Sequence, residues 1–247
     1  MDPTTRYYLL LKLAETLGVI AVMMIAGTGG GMVFRPVEFK YPKREARVSL
    51  IVYILALGLA VLIYCTGFDL NLPIAAETGL TQRLLLAILT LGVAAAALFI
   101  RRQPLLSAGW GGRQNLRLGL RTGLMLVFLT IFLRGKLTAI VNGISGGEGI
   151  ELLLLIGICL AEETVFRGYL QLRVNSWLGT PRGWMLVSAL FVLWQLPRLL
   201  LAPVTLWIDL PVLVIQSFLL GWMMQKTGHV IAPALYRIIS EWITFLA

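Results

Sequence analysis

Long apolar runs broken by short polar stretches dominate this chain. Set against charged residues and Gly/Pro punctuation, they predict spans near Leu9 to Val33, Ser49 to Phe68, Leu80 to Ile100, Leu118 to Leu133, Ile150 to Phe166, Gly183 to Leu201, Val204 to Met224 and Val230 to Phe245. About 20 apolar residues are needed per crossing, so the pattern predicts an all-α, polytopic fold of about eight transmembrane helices. It fills residues 1–247 as a single membrane domain and leaves no room for a separate soluble one. No internal repeat or low-complexity tract interrupts it.

Composition agrees with the pattern. The 247 residues are 58% hydrophobic and 13% charged, with a mean hydropathy of +0.86. Soluble globules are nearer 45–50% apolar and 25% charged, as rough averages. A formal charge of +9 would suit nucleic acid on a soluble face, but here the cations fall between apolar runs, so no nucleic-acid partner is expected and the bilayer is. Arg35, Lys40, Lys43, Arg44 and Arg47 lie in the first loop, and Arg101, Arg102, Arg113, Arg117 and Arg121 in or beside the third. The second carries only Asp69 and Glu77, while Arg173, Arg182 and Lys226 extend the same alternation. The positive-inside rule then puts odd loops in the cytoplasm and both termini outside, in an integral, multi-pass protein expected in the plasma membrane.

Several smaller features read as structural. Cys65 and Cys159 sit inside apolar runs without ligand spacing, so neither a disulfide nor a zinc cluster is expected. Met1 to Thr5 lacks the basic start of a cleavable signal, and the first helix is expected to be retained. The stretch Arg101 to Arg117 suits either a surface-lying segment or an ordinary basic loop. Trp110, Trp177, Trp184, Trp207 and Trp242 near span ends suit an aromatic belt.

Ionisable residues inside spans are the informative exceptions, because a charge at mid-bilayer costs at least about 2.5 kcal/mol. Two clusters stand out. Glu162, Glu163 and Arg167 interrupt the end of the fifth span, and Arg237 with Glu241 interrupts the last. At helical spacing Glu163 and Arg167 share a face, while Glu162 points about 100° away with Cys159 and Phe166. One acid is then paired and the other free. A free carboxylate in a water-poor site resists ionisation and becomes a general base for water, which fits hydrolysis. Counting about 1.5 Å per residue from Ile150 puts Glu162 roughly 18 Å in, so a cavity in the cytoplasmic half is expected. The plainer alternative is an ion pair that staples two helices.

The residues around these clusters resemble the CPBP family of intramembrane proteases, which includes type II CAAX prenyl proteases and bacteriocin-processing, Abi-like proteins. Glu162-Glu163-Thr164-Val165-Phe166-Arg167-Gly168 reads as its E-E-x-x-x-R motif. Ser188-Ala189-Leu190-Phe191 looks like the lead-in to F-x-x-x-H, and Thr227-Gly228-His229-Val230-Ile231-Ala232-Pro233 like the approach to H-x-x-x-N. The likeness covers about 150–245, the expected catalytic core region. It implies that Glu162 activates water, that histidines assist, and that the later His and Asn stabilise an oxyanion. Here Gln195 stands at the first histidine, Arg237 at the second and Glu241 at the asparagine.

The catalytic candidates are therefore Glu162, Glu163, Arg167, Gln195, Arg237 and Glu241. Gln195 can orient water or donate to an oxyanion without shuttling a proton, and Arg237 stays cationic. Three acids facing two arginines leave one acid without a partner. Members of the family are often labelled metalloproteases, but His229 is the lone histidine and sits at a helix mouth. No cofactor or metal is expected, a divalent ion on Glu162, Glu163 and Glu241 being the remaining option.

Two other nucleophiles are present in the sequence. Gly143-Ile144-Ser145-Gly146 matches the rhomboid G-x-S-G pattern, but the predicted topology puts Ser145 and His229 on opposite faces, roughly 30 Å apart. Cys159 shares the glutamates' neighbourhood but has no base beside it.

The leading expectation is an intramembrane endopeptidase that cleaves a membrane peptide, a lipidated peptide or a prenylated protein C-terminus. The alternative is an inactive paralogue that binds membrane peptides or lipids. A transporter is a third possibility, without a repeat to support it.

Overall fold

The structure is a computed structural model that describes residues 3–28, 37–67, 79–201 and 206–246. Among them the chain is helical, with no strand. Ten α-helices follow in order: α1 (Pro3–Thr28), α2 (Pro42–Thr66), α3 (Leu80–Ile100), α4 (Arg113–Leu133), α5 (Leu137–Asn142), α6 (Gly146–Glu163), α7 (Gln171–Leu178), α8 (Thr180–Leu200), α9 (Leu206–Thr227) and α10 (Ile231–Trp242). A 3₁₀ turn covers Leu105–Ala108, and a π-helical stretch, Thr164–Leu170, joins α6 to α7.

Local chemistry explains several boundaries. Pro42 begins α2, where its missing N–H costs nothing, and Gly67 at φ 64° ends it in the left-handed region. Ser145 caps α6: its hydroxyl accepts from Glu148 N at 3.3 Å while Glu148 Oε2 accepts from Ser145 N at 2.7 Å. That reciprocal cap accounts for the serine of the G-x-S-G sequence.

Among the described residues, five segments are long and apolar enough to cross a membrane: Pro42–Thr66, Leu80–Ile100, Leu105–Leu133, Thr180–Leu200 and Leu206–Thr227. Helices also occupy the other expected spans, but α10 has 12 residues and α6 ends in the two glutamates. The expected first span ran to Val33, whereas α1 ends at Thr28, and 29–36 lie outside the described residues together with Arg35. Asp69, Glu77 and the start of the expected seventh span at Val204 also lie outside them. Phe99, Phe128, Phe132 and Trp207 are exposed on the bundle surface, as lipid-facing apolar side chains are.

The helix pairs that matter for the site are α3 with α6, α6 with α10, α4 with α10 and α8 with α9. Their packing leaves α6, its π-helical continuation and α10 in the middle. At one end of the bundle a tight polar knot joins the loops. Arg101 pairs with Glu45, Gln103 Nε2 donates to Glu45 at 2.9 Å, and Arg173 donates to the Ser107 and Tyr169 carbonyls, each at 2.8 Å. Ser107 and Ala108 are buried there, while Leu105, Leu106 and Trp110 in the same segment after Arg101 stay exposed, so it lies at the surface with its 3₁₀ turn anchored in the bundle. Gly168 meets this turn so closely that an added Cβ would collide with the Ala108 carbonyl.

The tryptophans divide. Trp207 and Trp177 are exposed, whereas Trp242 is buried and donates to the Glu148 carbonyl at 2.8 Å, a core role that the belt reading did not anticipate.

Candidate functional site

Glu162 and Glu163 end α6 with no exposed surface, although Leu153 nearer its start is exposed. A π-helical stretch follows immediately, the kind of local underwinding that recurs at functional sites, and it carries Arg167. Gln195 comes from α8, and Arg237 and Glu241 from α10, one turn apart. All six sequence-derived candidates converge.

The pairing differs from the expected one. Glu162 is not free: Arg83 of α3 grips it with two donors, Nε to Oε1 at 3.0 Å and Nη2 to Oε2 at 3.2 Å. Arg237 Nη2 forms a further ion pair with Glu162 Oε2, and Gln195 Nε2 donates to the same oxygen at 3.4 Å. Glu163 receives Arg237 Nη1 at 2.9 Å and faces Arg167 Nε at 3.4 Å. Glu241 takes Arg237 Nε at 2.8 Å and two donors from Arg83. Three carboxylates thus meet three guanidinium groups, and the surplus acid expected from the sequence does not exist.

Arg167 does more than face Glu163. Its Nη2 donates to Ser217 Oγ of α9 at 2.9 Å, and its guanidinium stands 4.9 Å from the centre of the Phe191 ring. The Arg237 guanidinium lies 4.9 Å from the same ring centre. Phe191, the phenylalanine of the F-x-x-x-Gln sequence, thereby contacts both cations, and cation–π attraction of about 0.5–2 kcal/mol each offsets part of their desolvation.

A cavity of about 580 Å³ adjoins this network, lined by Arg83, Arg237 and Glu241 together with Tyr64, Gln216 and Asp209. Glu162 and Glu163 stand behind Arg83 and Arg237 and do not line it. Arg198, one turn beyond Gln195 on α8, lines the cavity too. Among the described residues it forms no ion pair within 4.0 Å, and its Nε has no acceptor. A second cavity of comparable size, between α1, α8 and α9, contains none of the candidate residues.

Sequence reasoning missed Arg83 and Arg198. Each had the same signal as the residues it found, a cation inside or at the end of an apolar run. Cys159 is buried beside the glutamates without a histidine. His229 lies at the other end of the bundle, where burial pushes its imidazole below the ordinary value and its Nδ1 accepts the Ile231 N–H at 3.1 Å. Its ring packs edge-on to Trp110. It is a helix-end acceptor, and Ser145, a cap, is no partner for it.

Guanidinium groups compete with any divalent ion for the carboxylate oxygens. Each of the three glutamates already holds a guanidinium, and no group of three or more His, Cys, Asp or Glu among the described residues is arranged as a ligand set.

The cavity's position also departs from expectation. It is lined by Gly79 and Leu80 at the start of α3, Leu199 and Leu201 at the end of α8, Asp209 near the start of α9 and Phe245 after α10. These helix ends lie opposite the basic loops. Counting depth from Ile150 hid this, because Glu162 is met by Arg83 from the first turn of α3.

No curated protein matches the chain, and no solved structure does. One family model does match, over 150–243: Rce1-like, described as type II CAAX prenyl endopeptidase Rce1-like. That stretch contains Glu162, Glu163, Arg167, Gln195, Arg237 and Glu241, all in one network, and over it the chain is similar to the Rce1-like CAAX endopeptidases.

Proposed function

We propose that the protein is an intramembrane endopeptidase of the CAAX type, crossing the bilayer eight times and acting on a membrane-associated peptide, with Glu162 as the base that takes a proton from water. The observation that carries this reading is the bond from Gln195 to Glu162: it joins the first glutamate of one motif to the histidine position of the next, as a shared site requires. Arg237 and Gln195 supply N–H donors for an oxyanion, and Arg167 positions Glu163.

As described, Glu162 is held in a resting state. Its oxygens accept from Arg83, Arg237 and Gln195, and it has no exposed surface. Turnover requires Arg237 to leave Glu162 for a substrate carbonyl, and Arg83 to free one Glu162 oxygen, so that water can enter. In proteoliposomes, the wild type should cleave a membrane-anchored peptide and Glu162→Gln should not. Cleavage that persists in Glu162→Gln overturns the mechanism.

A second reading is favoured by the Arg83–Glu162–Arg237 arrangement itself. Two guanidinium groups on one carboxylate and no histidine to move a proton suit a protein that binds peptides or lipids without hydrolysing them. Binding of the same peptide by the wild type, with no cleavage under any condition, would establish it.

A further inference from the structure

The ends of the bundle differ sharply in charge. At the end where α2 and α4 begin, Lys43, Arg44, Arg47, Arg113, Arg117 and Arg182 are all exposed. At the cavity end, among cations whose side chains are described, none is exposed: Arg134 is bound to Glu15 at 2.6 Å, Lys136 donates to the Leu246 carbonyl at 2.7 Å, and Arg83 and Arg198 face the cavity. Lysines and arginines near span ends are retained on the cytoplasmic side during insertion, and the end carrying Lys43, Arg44, Arg47, Arg101, Arg102, Arg113 and Arg117 keeps its excess when Arg134 and Lys136 are counted at the other.

We infer that the cavity opens on the non-cytoplasmic side of the membrane and receives a peptide anchored in, or crossing, the outer leaflet. The inference rests on the proposed function for the peptide and on charge placement for the side. The lining suits an amphiphilic chain of this kind. Asp209, Arg198 and Lys12 offer polar contacts near the mouth, while Leu199, Leu213 and Phe245 are apolar. A prenylated C-terminus on a cytoplasmic protein does not reach this entrance.

Cysteine labelling tests the side without requiring catalysis. With Cys65 and Cys159 replaced by serine, T244C places a thiol at an exposed cavity-lining position, and Q114C places one at an exposed position beside Arg113. A membrane-impermeant maleimide should label T244C in intact cells and Q114C only in inverted vesicles. Labelling of T244C only in inverted vesicles, with Q114C reactive in intact cells, overturns the inference and leaves the peptidase reading standing. Correct labelling with no cleavage of an outer-leaflet peptide removes the peptidase reading and leaves the sidedness intact.

Discussion

Arg83 and Glu162, 79 residues apart in sequence, are joined by two buried hydrogen bonds of 3.0 and 3.2 Å. The pair fastens α3 to the end of α6, and Arg83 continues to Glu241 on α10. Removing one partner of a buried pair leaves the other charged and unsolvated, which costs about 3–5 kcal/mol. Arg83→Gln should therefore lower thermal stability in detergent markedly. An unchanged unfolding temperature would show that the network is not an element of the fold.

Arg198 makes the opposite case. It lines the cavity without an ion-pair partner among the described residues, so Arg198→Gln should leave stability unchanged. If it takes the carboxylate of a peptide, losing that charge-assisted bond costs about 1.5 kcal/mol, or about tenfold in affinity. Titrating a peptide acid and the corresponding amide into wild type and variant measures this. The acid should lose affinity and the amide should not.

Gly168 sits in the π-helical turn against the Ala108 carbonyl, while Gly58 on α2 has open space around it. Gly168→Ala should cost about 1–3 kcal/mol, because backbone must shift to admit a methyl group. The matched Gly58→Ala should be neutral or mildly stabilising through helix propensity. Equal unfolding temperatures for the two variants would contradict the close approach.

His229 gives the chain a pH dependence at its basic end. Burial lowers its folded-state value below the ordinary value of about 6.5, so the unfolded chain binds the proton more readily. Its contribution to stability is complete above that ordinary value and is lost as pH falls below it. Thermal unfolding from pH 7 to pH 5 should show a decline that His229→Asn reduces. A decline of the same size in the variant would assign the effect elsewhere.

Much of the site was readable because its motif is compact. Glu162, Glu163 and Arg167 fall within six residues, where helical spacing alone brings acid and base together. Gln195, Arg237 and Glu241 required the family resemblance to be placed at all. What stayed hidden were contacts across long separations. Arg83 stands alone near the start of an apolar run, and nothing in its own neighbourhood points to Glu162 or Glu241. Omitting it made one acid look unpaired and suggested a free base. The sidedness was equally opaque, because charges along the sequence identify a basic end but not which helix ends enclose a cavity. The helical class followed directly from apolar run length. Among the described residues five segments meet the length and hydropathy of a crossing, and α6 and α10, which do not, carry Glu162, Glu163, Arg237 and Glu241.

The central claim is that Arg237, paired with Glu162, restrains a peptidase-type site. Cleavage of a membrane-anchored peptide in proteoliposomes by the wild type and by Gln195→His/Arg237→His/Glu241→Asn tests it directly. Restoring groups that shuttle protons is worth about 10²–10⁴ in rate. The account predicts at least about 100-fold faster cleavage by the triple variant, abolished by adding Glu162→Gln. A correctly folded triple variant that is no faster than the wild type would contradict it.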